Sequence, residues 1–144
     1  MRRIVMSVAT AVCLVNAASA QDSADGEKIF ATCKACHQIG EGAKNAIGPE
    51  LNGVVGRKAG SVAGYNYSDA NKNSGITWDE SNLAEYLKDP KVKVPGTKMI
   101  FAGIKDEKKV QDLIAFLKQF DAAGKKARRG LRLACACIRG KLGR

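Results

Sequence analysis

The chain of 144 residues contains a single histidine, His37. Its central part has no second cysteine or histidine pair, so a tetrahedral zinc site would lack its remaining ligands. Of five cysteines, Cys13 lies near the start and Cys135 and Cys137 near the end, which leaves only Cys33 and Cys36 between them. One close pair is not a disulfide framework. No segment alternates apolar and polar residues convincingly enough to read as a strand, so sheet folds are set aside. After residue 20, no apolar run approaches the roughly 20 residues that span a membrane.

The body also lacks net charge. The total of +10 suggests a nucleic-acid partner until the charges are placed along the chain. All 14 acidic residues lie between Asp22 and Asp121, and 14 of the 24 basic residues lie within 21–124 and balance them. Arg2 and Arg3 are at the start. The other eight (Lys125, Lys126, Arg128, Arg129, Arg132, Arg139, Lys141 and Arg144) crowd the last 20 positions. The surplus is a terminal segment and not a folded basic face, so no nucleic acid is expected as a partner.

The beginning of the chain reads as an export signal. Arg2 and Arg3 precede an apolar run from Ile4 to Val15, and Ala18-Ser19-Ala20 is a small-residue cleavage site before Gln21. Residues 1–20 are therefore expected to be a secretory signal peptide, 21–124 the domain, and 125–144 a basic tail. The mature protein is then soluble, monomeric and periplasmic.

Within 21–124 the periodicity predicts a few short helices separated by long loops. Ile29, Phe30, Cys33 and Cys36 fall on one face of a helix capped by Asp25 and ending near His37. Glycine is too frequent from 40 to 66 for any long element. A short helix over 68–73 ends at Asn73-Ser74-Gly75. Thr77-Trp78-Asp79-Glu80 matches a capping box for a helix from Trp78 to about Lys88, closed by Pro90. Asp106-Glu107 opens a last helix whose stripe is Val110, Leu113, Ile114, Leu117 and Phe120, packed on the first helix through Phe30. The fold class is all-α. About 100 residues with so much loop bury little surface, and a large apolar cofactor would give the loops something to pack on.

Cys33-Lys34-Ala35-Cys36-His37 supplies a reason for one, because C-x-x-C-H is the pattern of covalent haem attachment. Two cysteines three apart on a helical turn reach two vinyl groups at one haem edge, and the next histidine faces the iron. A thioredoxin-like reading of the pair needs a βαβ context that is missing. Met99 is the only methionine left once Met1 and Met6 depart with the signal, and it lies in the loop Pro95-Gly96-Thr97-Lys98-Met99. A thioether opposite His37 favours ferrous iron and raises the potential. It also fills both axial positions, which opposes oxygen binding. Electron transfer is then the expected function.

At this length of match the sequence resembles class I cytochrome c, in particular the bacterial cytochrome c2 group. The resemblance rests on 33–37, on Gly48-Pro49-Glu50-Leu51-Asn52-Gly53 and onward to Gly60, and on 64–73, 75–78 and 86–105. It covers nearly all of 24–121 and implies a small haem-wrapping fold of three to five helices. It also implies that the Pro49 carbonyl fixes the His37 ring, that Arg57, Tyr67 and Trp78 surround a buried haem propionate, and that Asn71, Tyr86 and Thr97 form a polar network beside Met99. Plain core packing stays open for each aromatic.

Lys34, Lys91, Lys93, Lys98 and Lys105 lie in or beside the two ligand-bearing segments. The resemblance implies that they ring the haem edge and dock on membrane complexes. The expected partners are a quinol-oxidising cytochrome complex and a cytochrome oxidase or photosynthetic reaction centre. The competing class is an enzyme or sensor, a haem peroxidase or small-ligand binder in which Met99 is labile. The tail departs from the family. It reads either as a disordered extension or as a contact for anionic lipid.

Overall fold

The computed structural model describes residues 21–127; the expected signal peptide at 1–20 and the stretch 128–144 lie outside them. Five helices follow one another: α1 (Ser23–Phe30), α2 (Asp69–Asn73), α3 (Glu80–Lys88), α4 (Pro90–Lys93) and α5 (Glu107–Leu117). Among the described residues there is no strand, only two isolated bridges, Lys58 with Thr77 and Phe120 with Lys126. None of these helices is long and apolar enough to cross a membrane.

The core forms where α5 crosses α1. Gly26 makes the crossing close, since a Cβ there would sit 2.7 Å from the Phe116 Cβ. Phe30 and Phe116 stack with ring centroids 5.2 Å apart, and Val110, Leu113 and Ile114 are fully enclosed. Each such aliphatic contributes about 1.5–3 kcal/mol relative to an exposed position. α3 adds Leu83, Tyr86 and Leu87 to the same core.

Helix ends differ from the sequence expectation for identifiable reasons. Asp22, not Asp25, caps α1, with its side chain accepting from Ala24 N–H. The regular helix stops at Phe30, and the chain reaches the cysteines through a series of turns. Asp79, not Thr77, caps α3 and accepts from Asn82 N–H at 2.7 Å, in keeping with the stronger capping of aspartate. α3 ends at Lys88 as expected, with Asp89 extended before Pro90, and Pro90 also opens α4 at its first position, where its missing N–H costs no bond. Phe120 lies beyond α5, and three residues of the expected tail are folded. Ala127 N–H bonds the Gln119 carbonyl at 2.7 Å, and the Lys126 ammonium sits 5.6 and 5.7 Å from the Phe116 and Phe120 ring centres.

The glycine-rich loops are fastened to each other and not merely draped over the core. Buried Asn52 takes Gly40 N–H at 2.8 Å and donates to the Gly40 carbonyl at 3.0 Å. Asn45 holds the Ala63 carbonyl at 3.0 Å, and the Tyr65 hydroxyl donates to the Ile47 carbonyl at 2.7 Å. Trp78 N–H bonds the Arg57 carbonyl at 2.8 Å, and Gly56 N–H bonds the Trp78 carbonyl at 2.8 Å. This short pairing sets Arg57 beside Trp78.

Candidate haem crevice

The turns after α1 bring the attachment residues together. His37 N–H and Cys36 N–H both bond the Cys33 carbonyl, at 2.9 and 3.0 Å, so the two sulfurs and the imidazole ride on one tight turn. Both thiols are free and partly buried. Burial pushes the Cys33 thiol up, against a smaller opposing effect of its contact with Thr32. The His37 pKa is lowered from its ordinary value: burial lowers it most, the Pro49 bond opposes this, and the Arg57 charge lowers it further. His37 Nδ1 lies 2.8 Å from the Pro49 carbonyl. A carbonyl only accepts, so Nδ1 carries the proton and Nε2 keeps its lone pair. Gly48 makes room for the ring, because a Cβ there would fall 2.6 Å from Nδ1 and 2.8 Å from Nε2.

The second cluster is built on the Met99 loop. Thr97 Oγ1 lies 3.1 Å from Asn71 Nδ2, 2.9 Å from the Tyr86 hydroxyl and 3.3 Å from Met99 N. The residues Asn71, Tyr86, Thr97 and Met99 are thus one connected group. Burial raises the Tyr86 hydroxyl above the usual phenol range, offset in part by Thr97 and then Asn71, and Tyr86 rests on Trp78 at 4.7 Å.

The third expected cluster is looser. Tyr67 packs edge-on to Tyr65 at 4.7 Å, and no hydrogen bond joins the side chains of Tyr67, Trp78 and Arg57. Trp78 is buried, with its ring centre 4.7 Å from that of Tyr86. Arg57 donates to the Glu50 carboxylate, the Asn52 carbonyl and the Glu50 carbonyl, each at 2.8 Å. Glu50 was missed in the sequence. An acid seven residues before Arg57, in a stretch with no helix to space them, gives no periodic signal of a pair.

The five lysines also divide. Lys34 and Lys91 make no ion pair among the described residues, and Lys98 reaches only the Asn66 carbonyl at 3.5 Å. Lys93 is bound to Glu85 at 2.6 Å, and Lys105 lies 3.8 Å from Asp89. Ile47, Val92 and Ile100 are the large apolar residues most open to solvent.

Two free thiols on one turn, an imidazole whose Nδ1 is held by a carbonyl so that Nε2 is left free, and a thioether on a braced loop fit a haem. The fold and site therefore define an all-helical protein that wraps a covalently held haem. A model of the cytochrome c family matches residues 23–121. Cytochrome c2 of Blastochloris viridis is 58% identical over 126 residues, which cover 88% of this chain and 99% of that protein. Cytochrome c-550 of Bradyrhizobium diazoefficiens is 62% identical over 103 residues, 72% of this chain and 76% of that protein. Among solved structures, cytochrome cH from Methylobacterium extorquens superposes with a TM-score of 0.64 at 59% identity, covering 67% of this chain and 97% of that one.

The chain belongs to the cytochrome c family, in its class I, bacterial cytochrome c2 type. Its cofactor is c-type haem, covalently bound, with Cys33 and Cys36 in the attachment motif, and the protein is an electron-carrier cytochrome.

Proposed function

We propose that the protein is a mobile, monomeric carrier of single electrons in the periplasm, exported by residues 1–20, with His37 and Met99 as axial ligands. It shuttles between a quinol-oxidising cytochrome complex and a terminal oxidase or photosynthetic reaction centre. The observation that carries this reading is the bracing of the Met99 loop: Thr97 ties the loop to Asn71 and Tyr86, so the thioether is held and not left labile. A thioether held in this way would occupy the iron position that peroxide or a diatomic gas would need, which disfavours the enzyme and sensor readings.

When bound, the haem supplies a one-electron ferric–ferrous couple whose potential a methionine ligand raises. The chain's own groups do the rest. His37, fixed by Pro49, presents one defined tautomer. Buried Trp78, Asn71 and Tyr86 and half-buried Tyr67 offer donors to the crevice. Lys34, Lys91 and Lys98 give the rim a positive field that steers an acidic docking face, while exposed Ile47 and Ile100 supply apolar contact.

The test is the optical spectrum of protein exported from cells with c-type haem maturation, with a pyridine haemochrome and a cyanide titration of the ferric form. A two-thioether haemochrome, a weak far-red ferric band and slow cyanide binding are expected. Haem without the far-red band, together with rapid tight cyanide binding at neutral pH, would overturn the carrier reading in favour of a peroxidase or sensor.

A further inference from the structure

We propose that Glu50 sets the reduction potential of this protein by cancelling the charge of Arg57 at the wall of the haem crevice. The proposal rests on the reading above only in taking Arg57 to face the haem.

The two side chains form an ion pair at 2.8 Å, each only about one-fifth exposed (18% and 20%). Glu50 has a second tie, with Oε2 accepting Asn52 N–H at 2.6 Å. The carboxylate is not needed to aim the guanidinium, because the carbonyls of Asn52 and Glu50 already hold both of its terminal nitrogens. What the carboxylate adds is a negative charge. Tyr67 senses both members of the pair, and His37 senses Arg57. Burial dominates the shifts of Tyr67 and His37, but behind it Arg57 lowers and Glu50 raises the Tyr67 hydroxyl, and Arg57 also lowers the His37 imidazole. At Tyr67 the pair therefore acts as two opposed charges, with Arg57 the stronger.

Reduction adds one electron to the iron, ferric to ferrous, and no proton has to move. A nearby positive charge favours the added electron and a nearby negative charge disfavours it. Uncompensated, Arg57 would raise the potential; Glu50 pulls it back. A unit charge in a partly buried site, at an effective dielectric of about 20, is worth a several-fold change in the couple. Glu50 is thus a positioning residue that acts through charge, and touches neither the iron nor its ligands.

The experiment is a mediator-buffered redox titration of the haem-loaded protein and three variants, with the ferric far-red band recorded on each. Glu50→Gln keeps the shape and an acceptor for Asn52 N–H. At a fixed ambient potential it is expected to raise the reduced-to-oxidised ratio about three- to tenfold, which is about 28–59 mV at 59 mV per tenfold. Arg57→Gln is expected to shift the ratio in the opposite direction. The double variant is expected to return close to the parent, a sign pattern that loss of structure would not produce. An unmoved potential in Glu50→Gln with the band intact overturns the proposal, as does a shift of the same sign in both single variants. If Glu50→Gln does not load haem, Arg57→Gln carries the test alone, and an unchanged or raised potential there overturns it. A missing far-red band in the parent would instead overturn the axial ligation proposed above, so the two failures are distinguishable.

Discussion

Thr97 Oγ1 stands 2.9 Å from the Tyr86 hydroxyl, and a count of protons decides which of them donates. Asn71 Nδ2 and Met99 N–H are pure donors aimed at the same oxygen. They occupy both of its lone pairs, so the Thr97 proton goes to Tyr86 and the Tyr86 proton is left for another acceptor in the crevice. Thr97→Val removes the hub and strands two partly buried donors. A loss of about 1–3 kcal/mol is expected in urea unfolding, with faster cyanide binding to the ferric protein. Thr97→Ser should restore both. Equal cyanide rates in the parent and the valine variant would show that the hub does not brace Met99.

Gly48 and His37 make a sharper prediction, because the space between them is already full. A Cβ at Gly48 would lie within 2.6 Å of His37 Nδ1, so Gly48→Ala must displace either the ring or the Pro49 carbonyl that orients it. Overpacking of this kind costs about 1–3 kcal/mol. The expected outcome is a lower yield of haem-loaded protein and a lower thermal midpoint. Alanine tolerated at parental yield and midpoint would mean that the turn relaxes freely.

Much of this was legible in the sequence, and the failures have local causes. Apolar spacing placed α5 and its contact with Phe30, since periodicity reports a buried face directly. The attachment motif named the cofactor. Cap positions were misread at Asp25 and Thr77 because several capping residues stand close together in each stretch, and only the backbone decides among them. Glu50, Asn52 and the Ile47 carbonyl act through loops, where contacts carry no period. The fate of each lysine was equally hidden: Lys93 finds Glu85 across eight residues of sequence, a pairing that depends on how α4 turns back on α3.

Asp112 sets the acid side of stability. Its carboxylate on α5 holds Lys108 at 2.6 Å and Asp22 N–H at 2.8 Å, which ties the start of α1 to α5. The Lys108 bond, and after it the Asp22 N–H, lower its pKa from the ordinary 3.8. A depressed carboxylate adds stability that is fully present above its unfolded value and is lost as pH falls through the folded one. Asp112→Asn should therefore lower the urea midpoint at pH 7, and the gap from the parent should close below about pH 4. A gap that is constant with pH would assign Asp112 a packing role alone.

Docking should depend on lysines unequally. Lys34, Lys91 and Lys98 present charge with no carboxylate partner among the described residues, whereas the Lys93 charge is cancelled by Glu85 at 2.6 Å. Charge reversal at Lys98 or Lys91 is expected to slow low-salt electron transfer to detergent-solubilised cytochrome oxidase about fivefold or more and to flatten its dependence on ionic strength. Lys93→Gln should change the rate less than twofold. The same loss at all of these positions would mean that the Glu85 pair opens on docking.

The last prediction concerns where the folded body ends. Lys126 reaches Glu27 at 3.7 Å on α1, lies against Phe116 and Phe120 on and beyond α5, and is flanked by the bonds Ala127 N–H to Gln119 O at 2.7 Å and Asp121 N–H to Lys125 O at 3.1 Å. A chain stopped after Ala127 keeps all of these; one stopped after Gly124 loses every one. Two backbone bonds and an exposed cation over two rings together stabilise by about 1–3 kcal/mol, and each 1 kcal/mol is worth about 4–8 °C in a domain of this size. The shorter chain should thus melt several degrees below the longer one, while the longer one melts with the full chain. Vesicles of anionic lipid, offered to the full chain and to the chain ending at Ala127, then ask separately whether 128–144 confers membrane contact. Equal melting of the two truncations would place the boundary at Gly124 and reduce the Lys126 contacts to surface decoration.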